Sequence, residues 1–348
     1  MGQSMKSPLN FGDTFQRLKI AISILFQSQS EKADMSDVYF CYRLILGRMP
    51  DAEGWHNWSR QVASGMTRHQ LLRMFLGSPE YQSKNRLAAI ERVETERFVL
   101  FVDMNDGAYA ESISQSKVYE PHITDLLQSL LKPEHVFLDI GCNVGWFSLI
   151  AASILKKGKV IGVEPNQNNL QLLYRSMIEN QFDNMVIYPY AATDRSRILQ
   201  MSGYGPYAYV HSIFKDAGFT YVQGIAIDEL VRDESRLDVI KMDIEGHEPV
   251  ALQGMRRTIA RYRPIIVSEF HPKAIREYSR QEPQDYLEAL VSMGYSLSVV
   301  EPTGKVIDFI DPSEIMTHWR NLNLQFDSRD AMHLDILARP SNPTEHSL

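Results

Sequence analysis

The sequence predicts an α/β protein: a Rossmann-like, seven-stranded sheet with an antiparallel terminal strand, preceded by a small all-helical domain. Three observations carry that expectation. Residues 136–166 read as strand, glycine turn, helix, strand and acid. Beyond them, short β-branched and aromatic runs alternate with helical stretches, the pattern of a mostly parallel sheet covered by helices. Residues 37–82 show only helical periodicity, with breaks at residues 47–51 and 65–67.

Val136-Phe-Leu-Asp139-Ile140 has the composition of a buried parallel strand. Gly141 and Gly145 follow, residues 146–157 read as a helix, and a second strand at 159–163 ends in Glu164. Glycines permit sharp turns and close backbone approach. An acid about 20 residues on, at the next strand's end, suits the two hydroxyls of a ribose. The unit therefore predicts an adenosine-type cofactor. In Gly141-Cys142-Asn143-Val144-Gly145, Asn143 stands where a dinucleotide turn needs its second glycine. Asp139 would repel a diphosphate and attract an ammonium or sulfonium. S-adenosylmethionine (SAM) meets those terms. The rival reading is a nicotinamide-dependent oxidoreductase.

The chain divides into a tail and helix at 1–36, the helical domain at 37–85, a charged helical linker at 86–97, the α/β domain at 98–340 and a tail at 341–348. The net charge of -7 argues against a partner held mainly by nucleic-acid phosphates. Two cysteines, Cys41 and Cys142, give neither a disulfide framework nor a zinc site, which makes a reducing cytoplasm the expectation. The apolar run near residues 15–26 is too short to span a bilayer, and a peripheral membrane contact is its sharper reading.

In the helical domain, Thr67 reads as a cap for residues 68–76, and Ser78-Pro79 opens another helix. In the α/β domain, residues 98–103 read as a strand and Asn105-Asp106-Gly107 as the turn of a hairpin. A helix at 123–131 leads to the central strand, with Glu120 either favouring its dipole or reaching the cofactor's amino end. Asn166 is either the cap of the helix at 167–180 or a ribose contact. Ala192, at the end of a third strand at 185–190, leaves room for a flat ring. Residues 197–224, rich in Gly, Tyr and Ser, read as an insert over the strand ends, with Tyr204, Tyr207, Tyr209 and His211 as wall candidates.

A second informative run is Lys241-Met-Asp243-Ile-Glu245-Gly246-His-Glu248. Lys241, Asp243 and Glu245 alternate, which puts them on one face of an extended segment. A lysine inside an apolar strand needs partners. Glu269-Phe-His271-Pro272 ends a further strand. Asp243, Glu245, Glu269 and His271 are thus all candidate bases at strand C-termini. The carboxylates are also suited to hold a divalent metal, although the spacing names no metal ligand.

Asp139-Ile-Gly141-Cys-Asn143-Val-Gly145, Glu164-Pro-Asn166 and Lys241-x-Asp243-x-Glu245-Gly246-x-Glu248 together resemble the FkbM family of SAM-dependent methyltransferases. The likeness runs from about residue 98 to 339 and takes in Glu120 and the 269–272 strand end. It implies O-methylation of a hydroxyl on a sugar, glycan or related natural product. Glu120 and Asp139 would serve the methionyl end, Glu164 the ribose, and His271 or Asp243 the base. The Leu46-Gly-Arg-Met-Pro50-Asp51 string and the run at 71–81 resemble a small helical domain of unknown function that recurs beside bacterial glycosyltransferases. That resemblance implies a bacterial glycan or cell-envelope setting. It also keeps open a non-catalytic scaffold in a glycan-assembly complex.

Overall fold

A computed structural model describes residues 32–46, 49–84, 90–202, 209–211 and 220–341. The run at 15–26, Tyr204 and Tyr207 lie outside the described residues. The chain forms two compact units, 1–87 and 88–348.

The first unit is helical, with helices Met35–Phe40, Ala52–Ala63, Arg68–Leu76 and Pro79–Lys84 and a π-turn at Cys41–Ile45. Each start has a local cause. Asp34 and Thr67 form capping boxes, and the Asp51 carboxylate accepts from the Gly54 N–H. Leu71 and Phe75 are buried, and Trp58 stacks on Phe75 with ring centroids 4.6 Å apart. A buried ion pair, Arg68 Nε to Asp37 Oδ2 at 3.0 Å, ties Met35–Phe40 to Arg68–Leu76.

The second unit is α/β. Its strands are β1 (Ile90–Glu94), β2 (Val99–Asp103), β3 (Val136–Ile140), β4 (Lys159–Val163), β5 (Met185–Tyr188), β6 (Ala191–Ala192) and β7 (Arg197–Ser202). They continue with β8 (Tyr209–His211), β9 (Thr220–Ile225), β10 (Val239–Met242), β11 (Ile265–Phe270), β12 (Tyr295–Val300), β13 (Val306–Phe309) and β14 (Leu334–Pro340). The central sheet runs β13-β12-β14-β11-β10-β3-β4-β5. β3, β4, β5, β10 and β11 are parallel, whereas β12, β13 and β14 join antiparallel. This is a Rossmann-like arrangement, a parallel centre with an antiparallel end.

β3 is buried at every position. Each buried Val, Leu, Ile or Phe contributes roughly 1.5–3 kcal/mol against solvent exposure, which makes this strand the centre of the core. Helix Trp146–Ile154 is buried from Trp146 through Ala152, because it lies between the sheet and further chain.

Three expectations are corrected. The stretch expected as a helical linker at 86–97 carries β1, which pairs antiparallel with β2. The hairpin turn therefore precedes β2, at Thr95 to Phe98, where the Thr95 N–H donates to the Phe98 carbonyl at 2.9 Å. The Asn105-Asp106-Gly107 signal instead ends a 3₁₀ turn and starts helix Ala108–Ser116. The sheet has eight strands, not seven, because β13 and the 15-residue helix Pro312–Phe326 stand between β12 and β14. The insert at 197–224 is part of a second sheet, ordered β6-β9-β7-β8.

Candidate active site

The glycine corner after β3 is tightly built. Gly141 has φ +81°, and a Cβ there would lie 1.9 Å from the Asp243 carbonyl oxygen. The Asp243 N–H in turn donates to the Ile140 carbonyl at 3.0 Å. Gly141 is thus required by the neighbouring strand end, not only by a ligand. At Gly145 (φ +97°) a Cβ would meet Leu173 Cδ1 at 2.2 Å, so this glycine serves helix packing against Gln167–Glu179. Between them Asn143 takes φ 51°, and its N–H donates to Glu164 Oε2 at 2.9 Å. The other Glu164 oxygen accepts from the Asn166 N–H at 2.8 Å. Burial pushes the Glu164 carboxyl up to about 7, against the pull of those two backbone donors.

The second motif faces the same space. Lys241 Nζ lies 2.8 Å from Asp243 Oδ2 and 4.5 Å from the Phe147 ring centroid. Burial opposes its charge, but Asp243, Glu120 and Asp139 hold the lysine above its ordinary range. β10 stops at Met242, so strand alternation does not bring Glu245 alongside. A turn does: Glu245 has φ 56° and Gly246 φ +89°. Burial, then Asp243 and Glu248, push the Glu245 carboxyl up to about 8.

Gly141, Asn143, Glu164, Lys241, Asp243 and Glu245 all line one cavity of about 300 Å³ at the C-terminal ends of β3, β4 and β10. Its volume is at the lower end of small-molecule sites, roughly 300–1,000 Å³. Tyr109 and Ser112 from helix Ala108–Ser116, Tyr119, Phe147 and Asn169 also line it, with Met201 and Val210 from the insert. Sequence reasoning missed Tyr109 and Ser112. Their helical spacing is readable, but the turn signal before them reads as a hairpin.

Other expected site residues stand outside that wall. Asp139 is buried behind it: Oδ2 accepts from Ser148 Oγ at 2.6 Å, and the residue is the register partner of Lys241. It acts as a counter-charge to the lysine, with burial raising its own carboxyl to about 6. Glu120 precedes helix Pro121–Leu130 in a left-handed conformation, and burial raises its carboxyl against the pull of Lys241. Asn166 caps its helix by accepting from the Asn168 N–H at 3.0 Å. Ala192 is packed in the second sheet against β9. His271 Nδ1 accepts from the Ala274 N–H at 3.3 Å, and burial and His333 lower its pKa. Glu269 lies beside His333, Oε1 to Nδ1 at 3.8 Å, with its other oxygen buried and unbonded. Tyr209 and His211 lie on β8.

Residues 139–297 match the family described as the methyltransferase FkbM domain. Residues 18–85 match a domain of unknown function, DUF4214. No curated protein matches the chain. Among solved structures, a methyltransferase FkbM from Methylobacillus flagellatus is 15% identical with a TM-score of 0.37; the match covers 90% of this chain and 62% of that one. The chain therefore spans less than two thirds of that relative. A SAM-dependent O-methyltransferase from Thermotoga maritima is 10% identical, with a TM-score of 0.37 and coverage of 74% and 87%. An rRNA methylase from Streptococcus thermophilus is 9% identical, with a TM-score of 0.38 and coverage of 65% and 98%.

The chemistry of the cavity wall fits a cationic nucleoside. Among the described residues of the wall, Glu164, Asp243 and Glu245 are acidic and Lys241 is the only lysine or arginine. That lysine is already engaged by Asp243. A diphosphate would meet repulsion there, whereas a sulfonium and an ammonium would meet attraction. The Glu164 carboxylate is held by backbone donors in a fixed orientation and keeps lone pairs for a ribose diol. Among the described residues, no group of three or more His, Cys, Asp and Glu could hold a metal ion. No helix among them is long and apolar enough to cross a membrane.

Proposed function

We propose that the protein is a SAM-dependent O-methyltransferase acting on a hydroxyl of a sugar, glycan or related natural product by in-line methyl transfer. One observation carries the reading: the nucleoside-type corner and the Lys241-Asp243-Glu245 turn share a single cavity wall. When bound, SAM supplies an electrophilic methyl group. Glu164 would hold its ribose, and Asn143 and Gly141 would border it.

The chain's own contribution is alignment and proton removal. Holding a hydroxyl in line with a methyl carbon removes much of the entropic barrier. A sugar hydroxyl is a weak nucleophile, and a base that takes its proton adds roughly 10²–10⁴-fold. Asp243 is committed to Lys241. Glu245 is therefore the better base, because a carboxyl raised to about 8 is poised near neutral pH. His271, named with Asp243 as a base from sequence, lies outside the wall and has a cap to make. The bacterial, cytoplasmic glycan setting expected from the helical unit belongs to this proposal.

The test is incubation with methyl-labelled SAM and extracted cell-surface glycan precursors. Label in an ether on a glycan hydroxyl supports the reading. SAM binding without transfer to any hydroxyl acceptor favours the scaffold, and binding of NAD in place of SAM favours the oxidoreductase.

A further inference from the structure

We propose that Glu248 is a positioning residue for the base: it pins the turn that presents Glu245 to the cavity and faces that carboxyl with a second negative charge. This rests on the methyltransferase reading for its purpose, but not for its test.

Glu248 is fully buried in the first turn of helix Glu248–Gln253. Burying a carboxylate is costly, so its presence calls for a cause. One oxygen accepts from the Ile244 N–H at 2.9 Å. The other is buried with no hydrogen-bond partner. A glutamine would satisfy the Ile244 N–H equally well, but the Glu248 and Gly246 backbone N–H groups also favour the ionised form, so the charge itself is part of the turn.

The turn it grips is strained. Glu245 at φ 56° is a non-glycine residue in the left-handed region, and such a residue persists only where its surroundings over-determine it. Two contacts do so from the far side. The Gly246 carbonyl accepts from Ser279 Oγ at 2.5 Å, and a Cβ on Gly246 would meet the Ala274 carbonyl carbon at 2.5 Å. Glu248 closes the near side through Ile244. The turn cannot then rotate to carry Glu245 away from the wall.

Charge is the second half. The groups that face Glu245 are Asp243 and Lys241 from β10, Glu248 from its own helix and Glu120 from the start of Pro121–Leu130, with Glu269 from β11. Asp243 is neutralised in part by Lys241 at 2.8 Å. Glu248 has no cation bonded to it among the described residues. Burial raises the Glu248 carboxyl, and once ionised it sets a second negative charge beside Glu245. Its charge then delays the loss of the Glu245 proton.

The experiment uses the full chain labelled with ¹³C-glutamate. The Glu245 side-chain carboxyl is followed by NMR from acid to alkaline pH, its resonance assigned by its loss in Glu245→Gln. Amide exchange at Ile244 is read in parallel. Glu248→Gln is expected to lower the Glu245 midpoint by about one unit, the size of a close like-charge effect, and to keep the Ile244 amide protected. Glu248→Ala is expected to speed Ile244 exchange about tenfold, the equivalent of one lost hydrogen bond. If the alanine variant does not fold, wild-type protection at Ile244 and the glutamine titration decide alone. An unmoved Glu245 midpoint in Glu248→Gln, or an unprotected Ile244 amide in the wild type, overturns the proposal. Neither measurement uses SAM or an acceptor, so failure here leaves the proposed reaction to its own assay.

Discussion

Glu164→Gln separates a ribose-binding carboxylate from a merely structural one. In the wild type, both oxygens receive backbone N–H donors, from Asn143 at 2.9 Å and Asn166 at 2.8 Å. Asn169 Nδ2 adds a third donor at 3.4 Å. Glutamine turns one acceptor into a donor and leaves one buried N–H opposed, a cost of about 1–3 kcal/mol in stability. It also removes the charge that strengthens a hydrogen bond to a ribose hydroxyl. Such a bond contributes about 1.5–3 kcal/mol, which corresponds to SAM binding weakened roughly 10- to 150-fold. The pH dependence is the sharper signature. The folded carboxyl is raised to about 7, so it is mostly protonated at pH 6 and mostly ionised at pH 8. If the anion is the binding form, wild-type affinity falls about tenfold from pH 8 to pH 6 through this group, and the glutamine variant loses that slope. Isothermal titration calorimetry with SAM at several pH values reads both effects. A wild-type affinity that ignores pH, together with an unchanged affinity in the variant, would refute the ribose assignment.

Asp243→Asn should slow methyl transfer strongly in the labelled-SAM assay by freeing Lys241 beside Glu245, and full turnover would remove Asp243, though not Glu245, from the chemistry. Its stability loss should stay at or below the roughly 3–5 kcal/mol of a severed buried pair, because Glu120 and Asp139 still face Lys241; thermal melts check this. Gly141→Ala should cost about 2–5 kcal/mol, combining left-handed strain with overpacking on the Asp243 carbonyl, and a melting temperature like the wild type's would contradict the contact. The unliganded protein should melt at progressively lower temperature as pH rises from 5 to 8. Asp139, Glu164, Glu248 and Glu245 are raised to about 6, 7, 7 and 8, above their unfolded values, so the stability they contribute is present below the unfolded carboxyl range and lost through those values. For Glu164 alone that amounts to about 3 kcal/mol, and a melting temperature that rises over this range would count against it.

Much of the site was legible because it lies on short, local patterns. Gly141, Asn143 and Glu164 belong to one strand-turn-helix-strand unit, and the Lys241-to-Glu248 run to one strand end and turn. What misled was orientation. Asp139 reads as a ligand acid, but a strand residue's face is set by its partner strands, and here the register pairs it with Lys241. His271 reads as a base for its chemistry, but the chain turns after β11 and uses its ring to cap Pro272–Ala274. Ala108, Tyr109 and Ser112 were lost behind a turn signal that belongs to a 3₁₀ turn rather than a hairpin.

By itself, the order of residues determined the alternating α/β plan, the helical first unit with its caps, and the acidic, phosphate-averse character of the corner after β3. These follow from periodicity, capping chemistry and charge, which act over a few residues. Only the tertiary structure decided that β10 lies beside β3, that Gly141 exists to admit the Asp243 backbone, and that Glu245 reaches the cavity by a left-handed turn. Strand order and close backbone approach join segments about a hundred residues apart, and no local pattern encodes them.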